Sequence, residues 1–142
     1  MNEKVIFVPK TVKIKNGEIV IRLLNEEDGP QLVAEEQAQG WGTTMEKFEM
    51  RLRDFAAGAC VPLCAELDGK PVGYVNLYKK AGGPFADTDW PYIVDFAVLE
   101  RVRGRGVGSA LMDAVEALAA ETSDMVCLGV GLHSGYGAAQ RM

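Results

Sequence analysis

Arg101-Val102-Arg103-Gly104-Arg105-Gly106-Val107-Gly108-Ser109 carries more information than any other part of this chain. It joins the most strand-like run, Trp90–Leu99 (WPYIVDFAVL), to the most regular helical pattern, Val107–Ala120. In that pattern Val107, Leu111, Ala114, Val115 and Leu118 share one face. Gly104, Gly106 and Gly108 let the backbone turn sharply and approach a ligand with no Cβ in the way. The N–H groups opening the helix point outward and carry roughly half a positive charge. Arg101, Arg103 and Arg105 add a local positive spot to a chain with 15 Lys and Arg against 20 Asp and Glu. The segment therefore reads as a cradle for a phosphate or pyrophosphate; the competing reading is a solvated charge run.

Working outward toward the N-terminus, Val5–Ile14 and Glu18–Leu24 are β-branched runs separated by Lys15-Asn16-Gly17, a strong hairpin signal. Pro9 confines the first run to a sheet edge. Asp28-Gly29-Pro30 predicts the start of a helix over residues 30–39, with Asp28 as its N-cap, and Gly40-Trp41-Gly42 interrupts it. A second helix is predicted over 44–57, with Met45, Phe48, Leu52 and Phe55 as its core face. Cys60–Leu67 and Val72–Lys79 read as strands around a compact Asp68-Gly69-Lys70-Pro71 turn. Toward the C-terminus, residues 81–89 read as a loop, 124–130 as a buried strand and 131–137 as a loop.

This order predicts an α+β fold, a mixed and mainly antiparallel twisted sheet with helices on both faces. The tight turn at residues 68–71 rules out a purely parallel, doubly wound sheet. The 142 residues form one domain, with residues 1–17 as an N-terminal strand extension.

Composition narrows the function classes. A net charge of −5 argues against a nucleic-acid partner, which would call for a basic footprint. No apolar run approaches the roughly 18 residues of a membrane span, and the start lacks a signal-peptide layout. Cys60, Cys64 and Cys127, with His133 as the sole histidine, are too few and too badly spaced for a zinc site, so no metal is expected. They read as reduced thiols of a cytoplasmic protein, Cys60 and Cys64 on one buried strand face.

Several phosphate-binding motifs are excluded. A P-loop needs Gly-Lys-Ser/Thr, and Gly106-Val107-Gly108-Ser109 has no lysine. The dinucleotide pattern G-x-G-x-x-G is not met, because the glycines are spaced by two. What the stretch does match is R-x-x-G-x-G, on Arg103, Gly106 and Gly108. Taken with Phe96-Ala97-Val98 before it and Ser109-Ala110-Leu111-Met112 after it, the unit resembles motif A of the GNAT superfamily, acetyl-CoA-dependent N-acetyltransferases. The resemblance is close over residues 92–120 and follows element order over about 18–130.

The resemblance implies a set of roles. Acetyl-CoA would be the acyl donor, with its pyrophosphate on the backbone of Arg103, Gly104, Arg105, Gly106, Val107, Gly108 and Ser109. Phe96, Ala97 and Val98 would pair with the pantetheine arm, and the Val98 N–H would polarise the thioester carbonyl. Trp41 would line the acceptor site, with core anchoring as its equal alternative. The acceptor would be a small-molecule amine, or the amine of a lysine or an N-terminus. The family's pattern near its general-acid Tyr falls on Leu132, Tyr136, Ala139 and Met142, so the sequence is expected to stop before that Tyr and the last strands. The sheet edges this leaves predict self-association as a homodimer. Asp95, the acidic side chain within an apolar strand, is a candidate general base with a raised pKa; the alternative is a structural Asp capping backbone or pairing an Arg. A non-catalytic CoA- or nucleotide-binding module is the rival to the enzyme.

Overall fold

A computed structural model describes residues 7–79, 91–121 and 127–128 of the chain. The first hairpin pairs β1 (Lys10–Ile14) with β2 (Gly17–Leu23), and Asn16 takes the left-handed conformation, φ 62°, that its turn demands. Two helices follow, α1 (Asp28–Ala38) and α2 (Met45–Ala56). The strands β3 (Cys60–Leu67), β4 (Lys70–Tyr78) and β5 (Tyr92–Val98) continue an antiparallel meander. A single 3-10 turn, Glu100–Val102, leads into α3 (Val107–Ala120), and β6 (Cys127–Leu128) returns parallel to β5. The strands stand in chain order in one six-stranded sheet.

The sheet is covered on both faces. Val61, Leu63 and Ala65 of β3, with Val75 and Leu77 of β4, pack against Leu111, Val115 and Leu118 of α3. The alternate residues Cys64 and Tyr74 face the other way, onto Leu32 of α1 and Phe48 of α2. Gly73 lets α3 lie close on the sheet: an added Cβ would stand 3.0 Å from both the Ala97 carbonyl oxygen and Leu111 Cδ1.

Two expectations need correction. Asp28 is not the N-cap of α1; it lies inside the first turn, its carboxylate held by Arg22 at 2.8 and 2.9 Å and accepting the Asn25 N–H at 2.8 Å. A buried ion pair outcompetes a cap for the same carboxylate. On α2, which packs on β3 of the sheet's interior, only Phe48 is fully buried; Met45, Leu52 and Phe55 are half-buried because the flanks of a helix on the outer layer stay in solvent.

The strand that leads to the glycine-rich segment is irregular. Asn76 pairs with Val94 and Tyr74 with Ala97, so Asp95 and Phe96 together oppose Val75. This is a β-bulge, and its first residue, Asp95, sits at φ 59°.

Candidate functional site

The cradle is built as its glycines suggest. Gly104 and Gly106 adopt φ 80° and 100°, open to glycine and strained for other residues. Gly108 brings the first turn of α3 against β5, where a Cβ would meet Phe96 Cζ at 3.1 Å. The first intrahelical bond runs from Ala110 N–H to the Gly106 carbonyl at 3.1 Å, and no side chain caps the helix. Among the described residues, the N–H groups of Gly104 through Ser109 donate to no other group. The site is thus a run of successive unpaired amides at the positive end of a fourteen-residue helix.

The three arginines divide into three jobs. Arg101 makes two bonds to the Glu35 carboxylate, at 2.9 and 2.7 Å, and holds that group below the usual carboxylate range. Arg105 turns away from the cradle: its Nε donates to the Lys15 carbonyl at 2.9 Å and a terminal nitrogen to the Asn16 carbonyl at 2.6 Å. Its own carbonyl accepts the Lys15 N–H at 2.9 Å. Arg103 remains loosely engaged and about half exposed, with a 3.3 Å bond to the Val98 carbonyl and a 3.9 Å pair with Glu100. The positive spot expected from three arginines therefore rests on Arg103, because the other two guanidiniums serve the protein.

Among the described residues, the edge of β5 away from β4 is paired only at its start. β6 pairs with β5 at Tyr92 and Ile93, before the bulge. After it, the Leu99 N–H donates to the Val72 carbonyl on β4 at 2.9 Å. Successive N–H groups of an extended strand point to opposite edges, so the Val98 N–H points away from β4, where no described strand pairs with it. Ala97 turns its backbone polar groups to β4 instead, which limits its part in any added strand to its side chain.

Asp95 does not sit among Ile93, Val94 and Phe96 as an isolated carboxylate. The bulge turns it to the α1/α2 face, where Lys47 Nζ and an Arg51 nitrogen stand 3.4 Å away. Of the two roles left open for it, this geometry favours the structural one. A polar network extends on either side. Lys47 donates to the Tyr74 hydroxyl at 2.7 Å, which donates to the buried Glu36 carboxylate at 2.7 Å, and Thr43 donates to Glu36 at 2.6 Å. On the other flank Arg51 donates to the Tyr78 hydroxyl at 2.8 Å, and Tyr78 donates to Asp54. Burial raises the Tyr78 phenol, and Asp54, accepting its proton, adds to that. The sequence carried a signal for this network: Tyr74, Asn76 and Tyr78 alternate in an otherwise apolar strand, and Lys47 and Arg51 lie one helical turn apart.

Trp41 lies in the α1–α2 connection with the Arg103 guanidinium 5.5 Å above its ring, so it borders the cradle. Cys60 and Cys64 are buried, and burial pushes the Cys60 thiol up to about 12 and Cys64 in the same direction. Such thiols behave as small apolar side chains. His133, Tyr136 and the expected loops at 81–89 and 131–137 lie outside the described residues. Among the described residues no cluster of His, Cys, Asp or Glu is placed to hold a metal, and no helix is long and apolar enough to cross a membrane.

Comparisons with known proteins agree with this architecture. A family described as the GNAT acetyltransferase family matches residues 21–134. The chain is 35% identical over 115 residues to a mycothiol acetyltransferase of Nocardia farcinica (strain IFM 10152), a match covering 76% of this chain and 35% of that protein. The chain thus spans about a third of the length of that curated relative. A ribosomal-protein-alanine N-acetyltransferase from Brucella melitensis biovar Abortus 2308 superposes with a TM-score of 0.61 at 24% identity, over 87% of each chain. An aminoglycoside N-acetyltransferase solved with CoA superposes with a TM-score of 0.66 at 15% identity, over 89% of this chain and 85% of that one.

Proposed function

The chain belongs to the GNAT acetyltransferase family, and from that premise we propose that it transfers an acetyl group from acetyl-CoA to an amine. The observation that carries this reading is a juxtaposition. Among the described residues, the amides from Gly104 to Ser109 donate to no group, and they end a loop that starts at Leu99, one residue past a Val98 N–H that no described strand pairs with.

In this reading the donor's pyrophosphate lies on the amides of residues 104–109, with Arg103 beside it, and its pantetheine arm adds alongside Phe96 and Val98. The Val98 N–H polarises the thioester carbonyl, an effect typically worth about 10²–10³ in rate. The amine nitrogen attacks that carbon, the carbon–sulfur bond breaks, and the CoA thiolate leaves. The proton shed by the amine passes to water, Asp95 being held by Lys47 and Arg51, and the thiolate takes one from solvent. Trp41 borders the acceptor side.

The acceptor is an amine of unassigned class; the relatives' names, spanning mycothiol, aminoglycosides and a ribosomal protein, support an amine and choose none. The test is release of CoA thiol from acetyl-CoA against a panel of amines, beside calorimetric titration with acetyl-CoA. Turnover with at least one amine supports the reading. Binding without turnover favours a donor-binding module, to which the double ion pairing of Asp95 also points, and no binding overturns both.

A further inference from the structure

Asn76 is buried in the middle of β4, 2% exposed, where every neighbouring strand position is apolar or aromatic. Its side-chain amide donates to the carbonyls of Val94 and Asp95, at 3.3 and 3.4 Å. Val94 is the last residue paired before the bulge and Asp95 is the bulge's first residue, so these two bonds tie β4 to the strand at the point where the ladder is interrupted. An amide NH₂ offers two donors to match two acceptors, which neither an apolar residue nor a carboxylate can do.

The bulge decides where the Val98 N–H points. Before it, β4 and β5 pair as Tyr78 with Tyr92 and Asn76 with Val94; after it, as Tyr74 with Ala97 and Gly73 with Val98. If the first register simply continued, Val98 would stand opposite Val72. Its N–H would then take the Val72 carbonyl that Leu99 now holds. The same slip would turn Asp95 from the Lys47 and Arg51 side into the core under α3.

We propose that Asn76 is a positioning residue for acyl transfer: by holding the bulge at Val94 and Asp95, it keeps the Val98 N–H out of the sheet and free for the thioester carbonyl. This rests on the acyltransferase reading above. The amides of residues 104–109 do not depend on Asn76, so donor binding and the chemical step should separate.

The test uses the full chain with Asn76→Asp, Asn76→Ala and Asn76→Gln. In Asp and Ala variants that melt cooperatively, kcat is expected to fall about 10²-fold, the scale of losing one oxyanion donor. KM for acetyl-CoA should stay within about threefold if only transition-state stabilisation is lost, and Gln, which keeps both donors, should restore part of kcat. Amide hydrogen exchange supplies a readout free of activity. In the wild-type protein Val98 should exchange at least about tenfold faster than Leu99, and in Asn76→Ala the two should converge as the register relaxes. Unchanged kcat, or the same Val98 and Leu99 pattern in both proteins, overturns the proposal. So does failure of both Asp and Ala to fold while Gln matches wild type throughout, which would make Asn76 a stability residue. If the wild-type protein acetylates no amine, the functional reading fails while the exchange comparison still decides whether Asn76 holds the strand.

Discussion

Arg103 and Arg105 stand two residues apart in the same motif, yet the structure predicts that removing them has opposite consequences. Arg105 makes two hydrogen bonds to backbone carbonyls of the β1–β2 turn, at 2.9 and 2.6 Å. Bonds from a charged donor contribute about 1.5–3 kcal/mol each when sheltered. This pair is open to solvent, so a total of about 1–2 kcal/mol is the reasonable figure. For a chain of this size that lowers the melting temperature of Arg105→Ala by roughly 2–8 °C. Its affinity for CoA should stay within about threefold, an effect under 1 kcal/mol. Arg103 is the reverse case. Its contacts are long and its ring stacking half exposed, so Arg103→Ala should cost under about 1 kcal/mol of stability. A guanidinium about 4 Å from a phosphate in a watery setting contributes about 1–2 kcal/mol. Arg103→Ala should therefore weaken CoA binding about tenfold and Arg103→Glu about a hundredfold. Titration calorimetry at low and high salt, with thermal melts of the same samples, measures both quantities. The difference between wild type and Arg103→Ala should shrink as salt rises. The reasoning fails if Arg105→Ala loses CoA affinity at an unchanged melting temperature, or if Arg103→Glu binds CoA as wild type does.

Gly73→Ala should destabilise by about 1–3 kcal/mol, because the new methyl meets a backbone carbonyl oxygen and Leu111 at 3.0 Å each and neither the strand nor α3 can withdraw cheaply; a denaturant midpoint at or above that of wild type would contradict this. Glu35 is held below its ordinary value by Arg101 in the folded protein. Its contribution is therefore present above the unfolded carboxylate value and is lost as pH falls through the lower folded one. The pair is largely exposed, so between pH 6 and pH 3 wild type should lose more than Glu35→Gln does, by a measurable amount of up to about 1 kcal/mol; equal losses in the two proteins would exclude the linkage.

Elements set by local chemistry were legible in the sequence. The Asn16-Gly17 turn, the strand over Cys60–Leu67 and the helix over Val107–Ala120 stand where turn residues and periodicity put them. The GNAT resemblance read from residues 96–112 holds for the family and the fold. What was not legible depends on partners distant in sequence. The shift of Asp28 from cap to ion pair needs Arg22 and Glu66, the latter 44 positions from Arg22. The surroundings of Asp95 need Lys47 and Arg51 from a helix more than forty residues away. The bulge leaves no mark in the period of β5, since the run from Ile93 to Val98 is apolar on both parities apart from Asp95 itself. Asn76 was the visible clue, a lone amide in an apolar strand, and its meaning appears only when its two acceptors are known.

The first hairpin reaches across the sheet to the cradle. Arg105 is fastened to its turn, the Lys15 N–H binds the Arg105 carbonyl, and Ile14 lies beneath Gly106. The loop is thereby braced from outside the β5–α3 unit that defines the motif. Anyone cutting this chain to a minimal version that begins at β2, or attaching a bulky fusion directly before Lys10, would be loosening the floor of the anion pocket from its far side. The hairpin from Lys10 onward belongs with the site when expression boundaries are drawn.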